Sequence, residues 1–322
     1  MKNIYNFAVI GVGGYIAPKH LQAIKDTGNK IVATLDIHNS VGILDRFDFD
    51  IKFFTNFERF DRYIDKIKTS EREKIDFISI CSPNWLHDYH IRFTLRNDAS
   101  AICEKPLVIN PWNLERLIKL ESEYGKKIFT VLQLRLHPLI VSLRKRILNS
   151  NNSQKHEIFL TYITPRGSWY LQSWKGDLSK SGGIASNIGI HFFDMLIWIF
   201  GSVVNSEVYF SEEKKLSGFL ELKHANVRWF LSTDINDIQN GSGVTREIIV
   251  DGEKIDFTTG FTDLHTKVYK NILEGKGFGL NDAKPSIDLA YKIRNSDITQ
   301  NFEKSHPLIR KILKNQKDGD NS

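Results

Sequence analysis

The sequence predicts an α/β protein of two domains, an N-terminal doubly wound parallel sheet over 1–134 and a C-terminal α+β domain with a large open, mostly antiparallel sheet over 135–322. Three observations carry this expectation. Short apolar runs alternate with amphipathic stretches up to about residue 134, a glycine turn follows the first of those runs, and beyond residue 134 strand-like runs follow one another with few helices between them. At 322 residues, 41% of them hydrophobic, the chain can bury two cores of ordinary size.

In the first half YNFAVIGV, KIVATLD, IKFF, IDFISIC, ASAICE and KIFTVLQL read as strands, most of them separated by helical stretches. Pro18 and Pro111 each sit where the first turn of a helix tolerates a residue without an N–H, the second opening a helix that runs to about Tyr124. In the second half a helix over 139–148 leads through a polar stretch, 149–154, to the strands HEIFLTYIT, SEVYF, GFLEL and VRWFLST. EIIV and KIDF follow, joined by Asp251 and Gly252 as a tight hairpin. Helices are predicted over 191–200, 263–273 and 282–296, and the closing NQKDGDNS has the composition of a disordered tail.

The net charge of +6 comes from 44 basic and 38 acidic residues, spread along the chain and densest near its end. There is no concentrated basic stripe or reading motif of a nucleic-acid protein, and an anionic small molecule suits the same balance. Cys81 and Cys103 each end an apolar run and read as free core thiols, which points to a reducing, cytoplasmic compartment without a disulfide framework or a zinc site. The chain passes within a few residues into its first strand, leaving no room for a signal peptide, and no stretch is expected to span a membrane.

The turn GVGGYIA, from Gly11 through Gly13, Gly14, Tyr15 and Ile16 to Ala17, lies between a strand and a helix, the context in which a glycine pattern binds a dinucleotide. Gly11 permits the reversal, and Gly13 lets the backbone approach a pyrophosphate on the helix N-terminus. Ile16 stands where the fingerprint expects its third glycine or alanine. Asp36 ends the second strand about 20 residues on, placed to bind both hydroxyls of an adenosine ribose and to repel a 2′-phosphate. A Rossmann domain that prefers NAD to NADP is the expectation.

Glu104, Lys105 and Pro106 end the fifth strand, and SGGIASNIGIHFFD follows over 181–194. An EKP lysine together with a glycine-rich stretch leading to G-x-H-x-x-D resembles the Gfo/Idh/MocA oxidoreductases, and the resemblance covers essentially the whole chain. It implies that Lys105 and His191 flank the reacting hydroxyl of a secondary alcohol, the ammonium stabilising the oxygen and the imidazole exchanging the proton, unless Lys105 is itself the base. Asn187, one helical turn before His191, stands where relatives often carry Asp and is left with hydrogen bonding to substrate. Asp194 reads as structural. By the same resemblance Ser82, Pro83, Asn84 and His87 in CSPNWLH, together with Glu104 and Lys105, line the cofactor, and Gln133 faces the nicotinamide.

A narrower resemblance is to the UDP-N-acetylglucosaminuronate 3-dehydrogenases of the WbpB/WlbA type, on GYIAPKHLQAIKDTGN, CSPNWLH, ICEKPLV, TYITPRGSWYLQSWKGD, SNIGIHFFDML and GFTDLHT. Within the block over 161–177, Arg166 can clamp the substrate carboxylate or its phosphates, while Trp174 and Lys175 are assigned to the cofactor side. The resemblance implies oxidation at C3 in bacterial surface-polysaccharide (O-antigen, lipopolysaccharide) synthesis. The NADH is then re-oxidised by exchange or in place by 2-oxoglutarate, and an aminotransferase consumes the product. It also implies a homodimer or homotetramer. Two other readings keep the fold: a dehydrogenase of a free aldose or inositol, and a non-catalytic NAD-binding regulator. The Arg166 block speaks against the first, and the pairing of Lys105 with His191 against the second.

Overall fold

The structure, a computed structural model, describes residues 3–149, 154–238, 243–255 and 260–312. In chain order the first half holds β1 (Asn6–Ile10), α1 (Ala17–Asp26), β2 (Lys30–Leu35), β3 (Lys52–Phe54), α2 (Phe57–Lys68), β4 (Phe77–Ile80), α3 (His87–Arg96), β5 (Ser100–Cys103), α4 (Pro111–Tyr124) and β6 (Ile128–Thr130). The second half holds α5 (Pro138–Leu148), β7 (His156–Ile163), the short helices α6 (Trp169–Gln172) and α7 (Leu178–Ser181), α8 (Ile190–Phe200), β8 (Val203–Ser211), β9 (Lys215–Leu222), β10 (Ala225–Ser232), β11 (Thr245–Val250), β12 (Glu253–Ile255), α9 (Leu264–Leu273) and α10 (Leu280–Arg294). The chain divides into two compact units, the first made of Met1–Leu136 and Asp263–Lys284, the second of His137–Thr262 and Pro285–Ser322.

The first unit is a six-stranded parallel sheet in the order β3-β2-β1-β4-β5-β6. Its central strands are apolar on both faces, as a sheet covered on both sides requires. In α1 the buried side chains Ala17, His20, Leu21 and Ile24 recur at the spacing of one helical face, and α2 repeats this with Phe60, Ile64 and Ile67. α4 stops at Gly125, whose φ of 62° is the left-handed conformation that ends helices.

The segment 263–284 was expected in the second domain, but the structure places it in the first unit. The reason is packing: Val268, Tyr269 and Ile272 of α9 lie in the same core cluster as Phe7 and Val9 of β1 and Leu21 and Ile24 of α1. After α9 the chain runs beside β6, where the Thr130 N–H donates to the Phe278 carbonyl at 2.9 Å. Buried Arg135 donates to the Asp282 carboxylate and carbonyl, both at 2.9 Å, with its guanidinium 5.2 Å from the Phe278 ring centre.

The second unit is a six-stranded sheet in the order β12-β11-β7-β10-β9-β8, antiparallel throughout except where β10 runs parallel to β7. Its inner strands β9 and β10 are largely buried on both faces. On one side α8 packs, Phe193 edge-on to Trp229 at 5.3 Å and Phe192 against Tyr162 at 4.6 Å. On the other, Ile163, Phe210 and Phe230 meet Ile309 from the C-terminal segment, and His306 stacks on Phe230. Asp251 and Gly252, with φ of 50° and 85°, form the hairpin between β11 and β12; part of KIDF and all of NQKDGDNS fall outside the described residues, as does most of the polar stretch 149–154. The stretch Leu178–Phe200 corrects one expectation, since it is long and apolar enough to cross a membrane. Its most apolar 18-residue window is 72% buried inside the protein, so its apolar character is that of a core segment.

Candidate active site

The dinucleotide turn is built as the glycines require. Gly11 has a φ of 83°, and a Cβ there would stand 2.7 Å from the backbone of Cys81, so neither its conformation nor its neighbours admit a side chain. Its N–H donates to the Leu35 carbonyl at 2.8 Å, and its carbonyl accepts from Gly14 at 3.1 Å. Asp36, 9% exposed, caps the same turn: its carboxylate accepts the Gly13 N–H and the His38 N–H, each at 2.9 Å. Tyr15 is 95% exposed, while Ile16 packs on the core and fully buried Ala17 supplies the small residue at the start of the helix. The small residue of this turn is thus Ala17, one position later than the fingerprint expects.

At the ends of β4, β5 and β6 the first unit gathers the other expected cofactor residues. Ser82 bonds His90 Nδ1 at 2.8 Å, Pro83 is extended, and buried Asn84 opens a short 3-10 turn, Asn84–Leu86. Gln133 opens another such turn after β6, and its Oε1 is buried without a hydrogen-bond partner among the described residues. An orphaned acceptor of this kind is what a carboxamide ligand would satisfy, and with the Gly11 turn and Asp36 it makes these residues fit a nicotinamide dinucleotide.

Two further expected cofactor residues, His87 and Glu104, are buried and bonded within the first unit. His87 is 1% exposed, and its ring nitrogens lie 2.7 Å from the Pro106 carbonyl and 2.8 Å from the Ser82 carbonyl, so both face loop backbone inside the protein. Burial pushes its pKa down, against those two hydrogen bonds. The Glu104 carboxylate is 7% exposed and accepts from His20 Nε2 at 3.0 Å, His265 Nε2 at 3.2 Å and the Lys105 N–H at 3.2 Å. Both side chains are engaged by hydrogen bonds inside the first unit. Neither His20 nor His265 was singled out in the sequence, although each lies in a quoted string, GYIAPKHLQAIKDTGN and GFTDLHT. Lys105 itself is half-buried.

The second unit brings together most of the expected substrate residues. A π-helical turn, Ala185–Gly189, carries Asn187 directly into α8, where His191 is the second residue; such turns are frequent at functional sites. Asn187 donates its amide to the Tyr170 hydroxyl at 2.6 Å. Burial pushes the Tyr170 phenol up, opposed by that hydrogen bond and by the Arg166 charge. Tyr170 had no role in the sequence reading beyond its presence in the aromatic block. Exposed Arg166 is fixed through its N–H to the Thr233 carbonyl at 3.0 Å. The Lys175 ammonium lies 5.2 Å from the Trp169 ring centre and 4.8 Å from that of Trp174, and its pKa is lowered by burial and by Arg166. Two cations whose charges oppose one another mark a place where an anion is favoured. Asp194 is 3% exposed within α8, a structural position.

Residues 5–132 match the family model described as "Oxidoreductase family, NAD-binding Rossmann fold", and residues 155–309 match "Oxidoreductase family, C-terminal alpha/beta domain". The WlbA (WbpB) dehydrogenase from Thermus thermophilus is 44% identical, covering 94% of this chain and 99% of its own. Its crystal structures contain NAD with alpha-ketoglutarate, at a TM-score of 0.91, and NAD with UDP-GlcNAcA, at 0.90. The WlbA dehydrogenase from Bordetella pertussis, 17% identical over 91% of this chain and 95% of its own at a TM-score of 0.75, shares the fold. The 2,7-anhydro-N-acetylneuraminate hydratase of Mediterraneibacter gnavus is 24% identical over 63% of this chain, and the match spans about half of that relative, 51% of its length.

Proposed function

Because the chain belongs to the Gfo/Idh/MocA oxidoreductase family, we propose that it oxidises the C3 hydroxyl of UDP-N-acetylglucosaminuronic acid (UDP-GlcNAcA) to the 3-keto sugar nucleotide. The observation that carries this reading is the 44% identity, over 94% of the chain, to a dehydrogenase crystallised with NAD and UDP-GlcNAcA. NAD, bound at the Gly11 turn and Asp36, supplies the hydride acceptor.

Loss of hydride from C3 requires that the hydroxyl proton leave and that the developing negative charge on oxygen be stabilised. His191 takes the proton, and the Lys105 ammonium holds the oxygen. Asn187, oriented by its bond to Tyr170, hydrogen-bonds the sugar. Arg166 pairs with the uronate carboxylate, a planar anion that suits a guanidinium fork. Trp174 and Lys175 serve the cofactor side, and Ser82, Pro83 and Asn84 follow the ribose and pyrophosphate. Re-oxidation of NADH by 2-oxoglutarate in the same site is supported by the alpha-ketoglutarate complex of the Thermus thermophilus dehydrogenase. The enzyme works in the cytoplasm as a homodimer or homotetramer, in the synthesis of a bacterial surface polysaccharide, where an aminotransferase acts on its product.

The test is to incubate the protein with UDP-GlcNAcA, NAD and 2-oxoglutarate and follow the sugar nucleotide by mass spectrometry. A product lighter by two hydrogens is expected, formed with many turnovers per NAD only when 2-oxoglutarate is present. Oxidation of free aldoses or inositols alone would overturn the substrate and leave the dehydrogenase.

A further inference from the structure

Lys105 is held on both sides by buried imidazoles. On its N-terminal side three donors meet the Glu104 carboxylate: His20 Nε2 and His265 Nε2 at Oε1, and the Lys105 N–H at Oε2. On its C-terminal side the Pro106 carbonyl is bonded to His87 Nδ1 at 2.7 Å. The donors come from α1, α9 and α3, so the main chain carrying Lys105 is referred to three helices of the first unit.

The polarity of the network follows from the carboxylate. Burial alone would push the Glu104 pKa up, but the hydrogen bonds from His20 and His265 hold it well below the usual carboxylate range. An ionised carboxylate only accepts, so both Nε2 atoms carry protons. Burial lowers the His20 pKa, keeping the ring neutral, and its Nδ1 therefore accepts from the Tyr269 hydroxyl at 2.7 Å. That oxygen in turn accepts a hydrogen bond from the Ser79 hydroxyl at 2.6 Å. Every proton points one way, from Ser79 through Tyr269 and His20 to Glu104, and each member is satisfied.

Cohesion alone does not call for such an array, because apolar side chains of similar volume would hold a buried site at equal or lower free-energy cost. What the array adds is direction: it converges on the residue that precedes Lys105, as outer hydrogen bonds fix the ligands of metal and catalytic sites. The ligand atoms of His20, Glu104 and His265 lie within 4.8 Å of one another, a separation that the two Nε2···Oε1 hydrogen bonds account for.

We infer that Glu104, His20 and His265 are positioning residues for Lys105, fixing its main chain so that the ammonium meets the reacting oxygen. The inference rests on the assignment of Lys105 to that oxygen. Glu104→Gln keeps the shape but replaces one acceptor oxygen by an NH2, so whichever way the amide turns a donor faces a donor. With NAD and UDP-GlcNAcA, kcat is expected to fall about tenfold or more, a misplacement effect, with both KM values and the NAD dissociation constant within about twofold of wild type. His265→Gln, which keeps a side-chain N–H, is expected to retain more kcat than His265→Ala at equal thermal stability. An unchanged kcat in Glu104→Gln overturns the inference, as does a raised KM for NAD with kcat retained, which would return Glu104 to the cofactor. So does activity that merely follows the folded fraction across all three variants. An inactive wild type overturns the substrate reading and the positioning role together, whereas an active wild type with unaffected variants overturns positioning alone.

Discussion

Replacing Asp36 by Asn tests the cofactor turn at its most exacting point. The carboxylate is 9% exposed and accepts two backbone N–H groups, from Gly13 and His38, each at 2.9 Å. An amide of the same shape offers one acceptor, so one of these donors loses its partner, at a cost of about 1–3 kcal/mol, with the low end applying to exposed Gly13. Bound NAD would lose in addition the charge assistance to a ribose hydroxyl, about 1.5–3 kcal/mol, or roughly tenfold to 150-fold in dissociation constant. NADP should move the other way, because the carboxylate that repels a 2′-phosphate is gone. Isothermal titration with NAD and NADP on wild type and Asp36→Asn reads both effects. A folded variant whose NAD affinity changes less than about threefold, or whose preference for NAD over NADP is intact, would refute the assignment of Asp36 to the ribose.

Arg166→Ala should raise KM for UDP-GlcNAcA about tenfold, the low end for a charged hydrogen bond at an exposed residue, and leave UDP-N-acetylglucosamine binding nearly unchanged; equal losses for both would move Arg166 from the carboxylate to the phosphates. Burial pushes the pKa of His90 to about 3 and of His306 to about 4, while the unfolded chain takes up protons near the ordinary histidine value. Their contribution to stability is therefore whole above about pH 6.5 and is lost as the pH falls toward 4 and then 3, so urea midpoints should drop across that range, less steeply in His306→Asn; a parallel pH profile in the variant would count against it. A Cβ at Gly218 would lie 2.2 Å from the Glu207 carbonyl and 2.6 Å from the Trp229 ring, so Gly218→Ala should lower stability by about 1–3 kcal/mol, read as a shifted melting temperature, and an unshifted melt would show that β8 yields there.

Where local pattern decides structure, the sequence was informative. The runs predicted as strands from YNFAVIGV to VRWFLST coincide with β1 to β10, because each is an apolar run bounded by turn residues and, partly exposed β3 apart, carries buried side chains. The glycine turn was legible for the same reason: φ at Gly11 and the contact at Cys81 are requirements that only glycine meets. Partners distant in sequence were not legible. Glu104 bonds residues 84 and 161 positions away, and nothing in EKP says that its carboxylate points inward to histidines. His87 shows the same limit, since a polar residue after an S-P-N turn serves a ligand or a neighbouring loop equally well until the loop is seen. The bond from Asn187 to Tyr170, 17 residues apart, depends on a π-turn that no periodicity in SNIGIH announces. Nor does an amphipathic helix at 264–273 declare which of two sheets it will cover.

The placement of α9 also constrains how the protein can be made. A ribosome that has released the first 136 residues has delivered six parallel strands but not Val268, Tyr269 or Ile272, nor the imidazole of His265 that hydrogen-bonds Glu104. Until synthesis has passed that point, the nascent cofactor domain exposes an apolar seam beside α1 and carries a carboxylate that lacks one of its hydrogen-bond donors, the kind of intermediate that aggregates or recruits chaperones. The order of completion is thus inverted relative to the order of synthesis: the unit begun first can close only after the chain has traversed the unit begun second.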